Sequence, residues 1–366
     1  MFFDTYIFTS IYEMNNRIIV YDRQNNKSWG SFLFVDSLSA DWDSYHCIYS
    51  NKRRNCKSAR IIKYRFPEFL YWNSFFFSLL RAFYLWICVP LYIVFREISF
   101  SKNLIVYFPI WDPSFFLLAH LLISFFLRSK NILFFHGALC SWKIVKILNP
   151  AWLLVPNYNN NLYYRSLWIP TDTIFPWVPQ DILSLKLEKK YDFIYIGRLI
   201  PGKWIEDLIF LFDYIKKYFW YTPSLSIFWS WKKDYVKMLN ELILKKWLKN
   251  ITLEWEVTWE KKNIVLNSSR AFISLSHAES LWISILESLS LGIPTIAYDL
   301  YNYREFEGVV WFFKFQIWDY SSIASKVIEI FLGDDVSYDN KVVINKKFSR
   351  KSASQKEKNF IYQFIK

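Results

Sequence analysis

At 366 residues, 53% of them hydrophobic, the chain can bury a large core, and its length suggests two domains. Four Cys without a C-x2-C spacing and four scattered His (His46, His120, His136 and His277) argue against a disulfide framework or a zinc site and fit a reducing cytoplasm. The net charge of +13 implies an acidic partner, whether phosphate, anionic lipid or nucleic acid, and charge alone does not choose among them.

The N-terminus lacks a basic region followed by a long apolar run and a small-residue cleavage site, so no secretory signal is expected. Short apolar runs then alternate with helix-length segments, the pattern of βα units on a parallel sheet. In the first half the expected strands are 17–21, 45–49, 60–64, 104–108, 131–135 and 153–156. Segment 74–95 is long enough to span a bilayer, but it carries Arg81 and Pro90, which favours a buried or membrane-resting helix over an anchor. Pro109, Asp112 and Pro113 divide 104–127 into a strand, a turn and a helix from about Ser114. The many Phe and the basic balance suit a protein resting on an anionic membrane face; AT-rich coding accounts for the same composition.

Segment 176–190, with Pro176, Pro179 and the charged Glu188-Lys189-Lys190, is the best linker. Beyond it the expected strands are 193–196, 225–228, 251–254, 271–275, 295–298 and 309–312. Two sheets of five or six strands imply two domains, 1–180 and 181–340. The basic tail 341–366, ending in an apolar stretch, reads as a helix that packs back on the first domain.

Two constellations carry chemistry. The strand at 193–196 runs into Gly197-Arg198-Leu199-Ile200-Pro201-Gly202-Lys203-Trp204, with a helix from about Ile205 or Glu206. This places two cations at the carboxyl end of a parallel strand, where open α/β sheets bind ligands. Arg198 can contact a diphosphate in bidentate fashion, Lys203 supplies a point charge, and the helix start adds amide donors; taken alone, the segment also fits an ordinary solvated basic loop. In the second, Glu279 closes a strand end and Glu287 lies two turns into the following helix. Carboxylates there can accept from paired sugar hydroxyls while the amides of Leu281, Trp282 and Ile283 hold a phosphate. Two surface carboxylates are the plain alternative.

Together these segments resemble the nucleotide-sugar domain of retaining glycosyltransferases of the GT-B fold, family 4. That family has G-R-L-x-x-x-K-G, here Gly197-Arg198-Leu199 through Lys203-Trp204, and E-x7-E, here Glu279 to Glu287. The likeness is strong over about 190–320 and weaker before it. Trp29-Gly30 looks like the glycine-rich loop after the first strand, His136-Gly137 like the histidine that reaches toward the donor sugar, and Trp177-Val178-Pro179 like the segment before the linker.

The resemblance implies an α/β GT-B protein, two Rossmann-like domains facing across a cleft, the first binding acceptor and the second the donor. It implies a hexosyltransferase of retaining type, without metal or cofactor. A UDP- or GDP-linked sugar would be the donor, and a glycan or lipid-linked molecule the acceptor. His136, Arg198, Lys203 and Glu279 would be catalytic; Gly30, Gly197, Arg198, Lys203, Leu281, Trp282, Ile283 and Glu287 would bind the donor. Such a protein would serve cell-envelope polysaccharide synthesis in the cytoplasm, as a peripheral protein on the inner membrane face. A sugar-nucleotide epimerase and a catalytically silent binding protein of the same fold are the rivals. No basic patch interleaved with aromatics marks a nucleic-acid binder.

The departures from the family have one sign. Trp stands at 204, 229, 231 and 282, and also at 247, 255 and 311, where relatives commonly have Gly; Ser280 is a milder change. The chain has 7 Gly, about 2%, against an average near 7%, and its 19 Trp fill the deficit. This predicts that many of these Trp are Gly in the host's own protein, from a code in which UGA means glycine. It also predicts that they sit in turns where only Gly takes a positive φ without cost.

Overall fold

The computed structural model describes residues 17–21, 46–50, 59–63, 76–77, 80, 83–97, 104–110, 121–123, 125–126, 130–135, 142–175, 178, 184–230, 233–254, 257, 259–279, 282–333 and 340–362. The chain forms two compact units, one of residues 1–175 with 354–366 and one of residues 176–353.

In the first unit, β1 (Arg17–Tyr21), β2 (His46–Ser50), β3 (Ala59–Lys63), β4 (Leu104–Ile110), β5 (Lys130–Phe135), β6 (Trp152–Val155) and β7 (Thr171–Thr173) make one sheet in the order β3-β2-β1-β4-β5-β6-β7. Every pairing is parallel. Helices α1 (Val89–Glu97), α2 (Trp142–Leu148) and α3 (Tyr158–Ser166) belong to this unit. Strand β7 was not expected: it is a three-residue edge strand of sequence TDT, with neither apolar run nor alternation to mark it. No helix among the described residues is long and apolar enough to cross a membrane.

In the second unit the strands are β8 (Tyr191–Arg198), β9 (Leu225–Ser230), β10 (Ile251–Glu254), β11 (Ser269–Ser274), β12 (Thr295–Tyr298) and β13 (Phe312–Phe315). They form a parallel sheet in the order β10-β9-β8-β11-β12-β13. Both sheets thus reverse direction beside their first strand, the Rossmann arrangement, whose switch point opens a ligand crevice at the carboxyl ends of the two central strands. In the second unit that point lies between β8 and β11.

Sequence dictates the packing that fixes this crevice. In α4 (Ile205–Tyr218), Ile205, Leu208, Ile209, Leu211, Phe212 and Ile215 recur at helical spacing and are all buried. Glu206 and Asp207 in its first turn and Lys216 and Lys217 in its last complement the helix dipole. Phe212 meets Phe193 of β8 edge to face. The remaining helices are α5 (Lys233–Lys245), α6 (Trp259–Asn267), α7 (Ile283–Ser290), α8 (Tyr320–Leu332), α9 (Lys341–Phe348) and α10 (Arg350–Tyr362). In α10, Phe360 packs against Trp152 of β6.

Asp213 of α4 accepts from Lys217 Nζ at 2.7 Å and from Lys246 Nζ at 2.8 Å. Burial alone would raise its pKa, but these two ammonium groups outweigh it and hold the carboxyl below its usual range. A depressed folded-state pKa stabilises above the unfolded value and loses that contribution as pH falls through the folded one. Asp213→Asn should therefore cost about 1–2 kcal/mol at pH 7, with urea midpoints of variant and parent converging below about pH 4.

The backbone carries one further feature. Seven described non-glycine residues have positive φ, and six are Trp: Trp168, Trp204, Trp247, Trp282, Trp311 and Trp318, the seventh being Asn149. Trp229 differs from expectation, since it lies within β9 paired with Gly197 and not in a left-handed turn. The expected strand 309–312 begins only at Phe312, because Trp311 at φ 64 interrupts extended backbone. Trp231 and Trp255 lie outside the described residues.

Candidate functional site

Strand β8 delivers Gly197 and Arg198 to the switch point. Gly197 is needed there for space: a Cβ would stand 2.5 Å from the Tyr195 hydroxyl. That phenol is buried, and burial raises its pKa well above the ordinary value. Arg198 is exposed at the strand end. A single 3-10 turn, Pro201–Lys203, follows, and Trp204, left-handed at φ 50 and ψ 48, caps α4.

From the other side of the switch point, the segment after β11 brings Ser276, His277 and Glu279. Lys203 Nζ donates to Glu279 Oε2 at 2.5 Å, so the two constellations, 76 positions apart in sequence, meet as one ion pair. Asn302 Nδ2 donates to the Glu279 carbonyl at 2.7 Å and Ser276 Oγ to the Lys203 carbonyl at 3.4 Å. Both carboxylates of the pattern are withdrawn from the surface, which removes the plain alternative for them. Glu287 of α7 is fully buried and ion-paired with Lys262 of α6. Trp282, at φ 31, caps α7, is buried, and packs edge-on against Tyr303 and Phe306. Ile283 opens α7 and is half-buried. Gly30, His136 and Leu281 lie outside the described residues.

Two members escaped sequence reading. Lys262 sits in a helix with no marked apolar face, so nothing in the spacing aims it at Glu287. Asp207 reads as an ordinary first-turn acid, yet it is buried and accepts from His277 at 2.8 Å and from the Tyr298 hydroxyl at 2.7 Å. Burial and the bond to Asp207 push the Tyr298 phenol up; burial, with Asp207 nearby, pushes Tyr320 up to about 12. The His277 ring lies flat against the Trp204 indole, 4.2 Å between centroids. Asp207 thus ties α4 to the β11 loop and to β12. Asp207→Ala should leave the buried Tyr298 hydroxyl and His277 short of an acceptor, costing about 1–3 kcal/mol for each group left unpaired. Asp207→Asn, which keeps an oxygen acceptor, should lose less in the same urea titration.

Among the described residues no cluster of His, Cys, Asp and Glu is placed to hold a metal ion. Residues 181–309 match the family model of Glycosyl transferases group 1. That matched segment contains Lys203, Asp207, His277, Glu279, Glu287 and Tyr298. No curated protein matches the chain. Solved structures do, over nearly its whole length. Sucrose-phosphate synthase from Thermosynechococcus elongatus superposes with a TM-score of 0.70 at 12% identity, covering 96% of this chain and 99% of that one. Anabaena Alr3699/HepE in complex with UDP and glucose gives 0.68 at 14%, covering 95% and 99%. A glycosyltransferase from Rickettsia africae ESF-5 gives 0.69 at 13%, covering 96% and 100%. The chain has the GT-B fold, built from two Rossmann-like units.

Proposed function

We propose that the chain transfers a hexosyl group from a UDP- or GDP-linked donor to a glycan or lipid-linked acceptor, with retention of configuration. The observation that carries this reading is the meeting of Lys203 and Glu279 at the switch point of the second sheet, inside the segment that matches glycosyl transferases group 1. Arg198 and Lys203 stabilise the leaving diphosphate as negative charge develops, and the amides of Leu281, Trp282 and Ile283 at the start of α7 add donors. Glu279 accepts from the donor-sugar hydroxyls and Glu287 from the ribose, exchanging Lys262 for it. Gly197 lets the loop pack closely. His136 orients the sugar, Gly30 approaches the diphosphate, and the first unit takes the acceptor. The leaving phosphate itself receives the acceptor proton, so no protein nucleophile or metal is required.

The same reading makes Trp204 and Trp282 glycine in the host's own protein, because an indole at each fills a loop that the diphosphate must approach. With indoles there, the chain as written should bind no nucleotide sugar; a catalytically silent protein of this fold is the alternative that applies if the host keeps tryptophan at both positions. The net charge of +13 supports work at an anionic membrane face; a place in the cytoplasm and a role in envelope polysaccharide synthesis belong to the same proposal.

The test is a donor screen on the form with glycine at 204 and 282, with the anomeric configuration of the product read by NMR. Free nucleotide released only with acceptor, together with a retained anomeric centre, is the expected result. Inverted product removes the retaining mechanism. Interconversion of donor sugars without acceptor replaces transfer with epimerisation.

A further inference from the structure

The donor motif accounts for glycine at 204 and 282 alone; the backbone elsewhere makes a wider statement. At the end of α3, Trp168 N–H donates to the Arg165 carbonyl and Ile169 N–H to that of Tyr164, both at 3.0 Å. At the end of α5, Trp247 N–H donates to Leu244 at 3.0 Å and Leu248 N–H to Ile243 at 3.2 Å. Each is the paired closure that ends a helix on a left-handed residue, usually glycine, and each puts Trp there, at φ 62 and φ 54. At the end of α7 the chain builds the same closure, Gly292 N–H to Leu289 at 3.1 Å and Ile293 N–H to Ser288 at 3.0 Å, with glycine at φ 73.

A second comparison repeats the first. Val309 N–H donates to the Phe306 carbonyl at 3.1 Å across a turn whose third residue is Gly308, at φ 80. Asp319 N–H donates to the Gln316 carbonyl at 3.1 Å across a turn whose third residue is Trp318, at φ 66. A positive φ at that turn position calls for Gly or Asn. One chain therefore meets the same backbone demand with glycine at two places and with tryptophan at three.

The indoles do not repay the strain by packing. Trp168 is 95% exposed, Trp247 76% and Trp318 63%. Burial of apolar surface is the main gain an indole offers, and these three forgo most of it.

We infer that Trp168, Trp247, Trp311 and Trp318 are glycine in the protein its own host makes, and that a single codon, UGA, read there as glycine, accounts for them together with Trp204 and Trp282. The inference does not rest on the proposed activity, since these four residues lie outside the donor motif.

Peptide mass spectrometry of the protein purified from its host reads the residues directly. Glycine masses at 168, 247, 311 and 318 are expected; tryptophan masses there, or UGG codons in the gene, overturn the inference. A second test needs only the recombinant chain. Trp168→Gly and Trp247→Gly should each raise the melting temperature by roughly 2–4 °C, while Trp168→Ala and Trp247→Ala fall short, because alanine keeps the Cβ that a left-handed backbone disfavours. In an ordinary loop the order reverses and alanine is the more stabilising residue. Alanine variants melting as high as the glycine ones would show that the backbone there makes no demand for glycine.

Discussion

Glycine at 168, 204, 247, 311 and 318 together should raise the melting temperature of the recombinant chain by roughly 10 °C or more. A non-glycine residue held left-handed costs about 1–2 kcal/mol, so five independent sites sum to about 5–10 kcal/mol, on the scale of a domain's whole stability of roughly 5–15 kcal/mol. Little opposes the gain, because most of these indoles are exposed; the stack of Trp204 on His277 is worth only about 0.5–1.5 kcal/mol. Trp282 behaves differently. It is buried against Tyr303 and Phe306, so Trp282→Gly loses packing worth about 3–5 kcal/mol and should lower the melting temperature in the chain without ligand. Its effect is on binding: only forms with glycine at both 204 and 282 should show a further upward shift with uridine or guanosine diphosphate. Equal ligand-induced shifts in the chain as written and in the glycine form would end the donor-loop reading of these two Trp.

The second large effect concerns the ion pair. In the glycine form, Lys203→Ala or Arg198→Ala should slow transfer by about 10²–10³, because each leaves phosphate charge unbalanced as the sugar departs. Glu279→Gln should slow transfer with little change in nucleoside diphosphate affinity. Glu287→Gln should do the reverse, weakening the nucleotide and sparing the chemical step. Since Lys203 and Glu279 touch, the double variant should lose less than the product of the two single losses. Single-turnover rates and calorimetric titration separate these outcomes, and near-normal rates in both cation variants would remove the phosphate assignment.

Much of this architecture was legible because parallel strands buried on both faces read as short apolar runs. The runs at 193–196, 225–228, 251–254 and 295–298 lie within β8, β9, β10 and β12. What periodicity could not show were elements defined by something other than burial, such as β7, held by pairing at a sheet edge, or the true start of β13, set by one left-handed residue before it. The candidate site divides in the same way. Arg198, Lys203, Glu279 and Glu287 stand in spaced motifs, and spacing is visible in one dimension. Asp207 and Lys262 matter through partners 70 and 25 positions away, His277 and Glu287, and only the fold brings those together.

On the proposed reading, the contact between Lys203 and Glu279 also bears on turnover. In this structure ammonium and carboxylate neutralise each other at 2.5 Å. An intact donor separates them without leaving either unsatisfied, since its diphosphate takes the ammonium and its sugar hydroxyls donate to the carboxylate. A nucleotide that has given up its sugar takes the ammonium alone and strands Glu279 beside its own negative charge. Transfer thus converts a matched ligand into a mismatched one, and re-formation of the ion pair helps to expel the spent nucleotide.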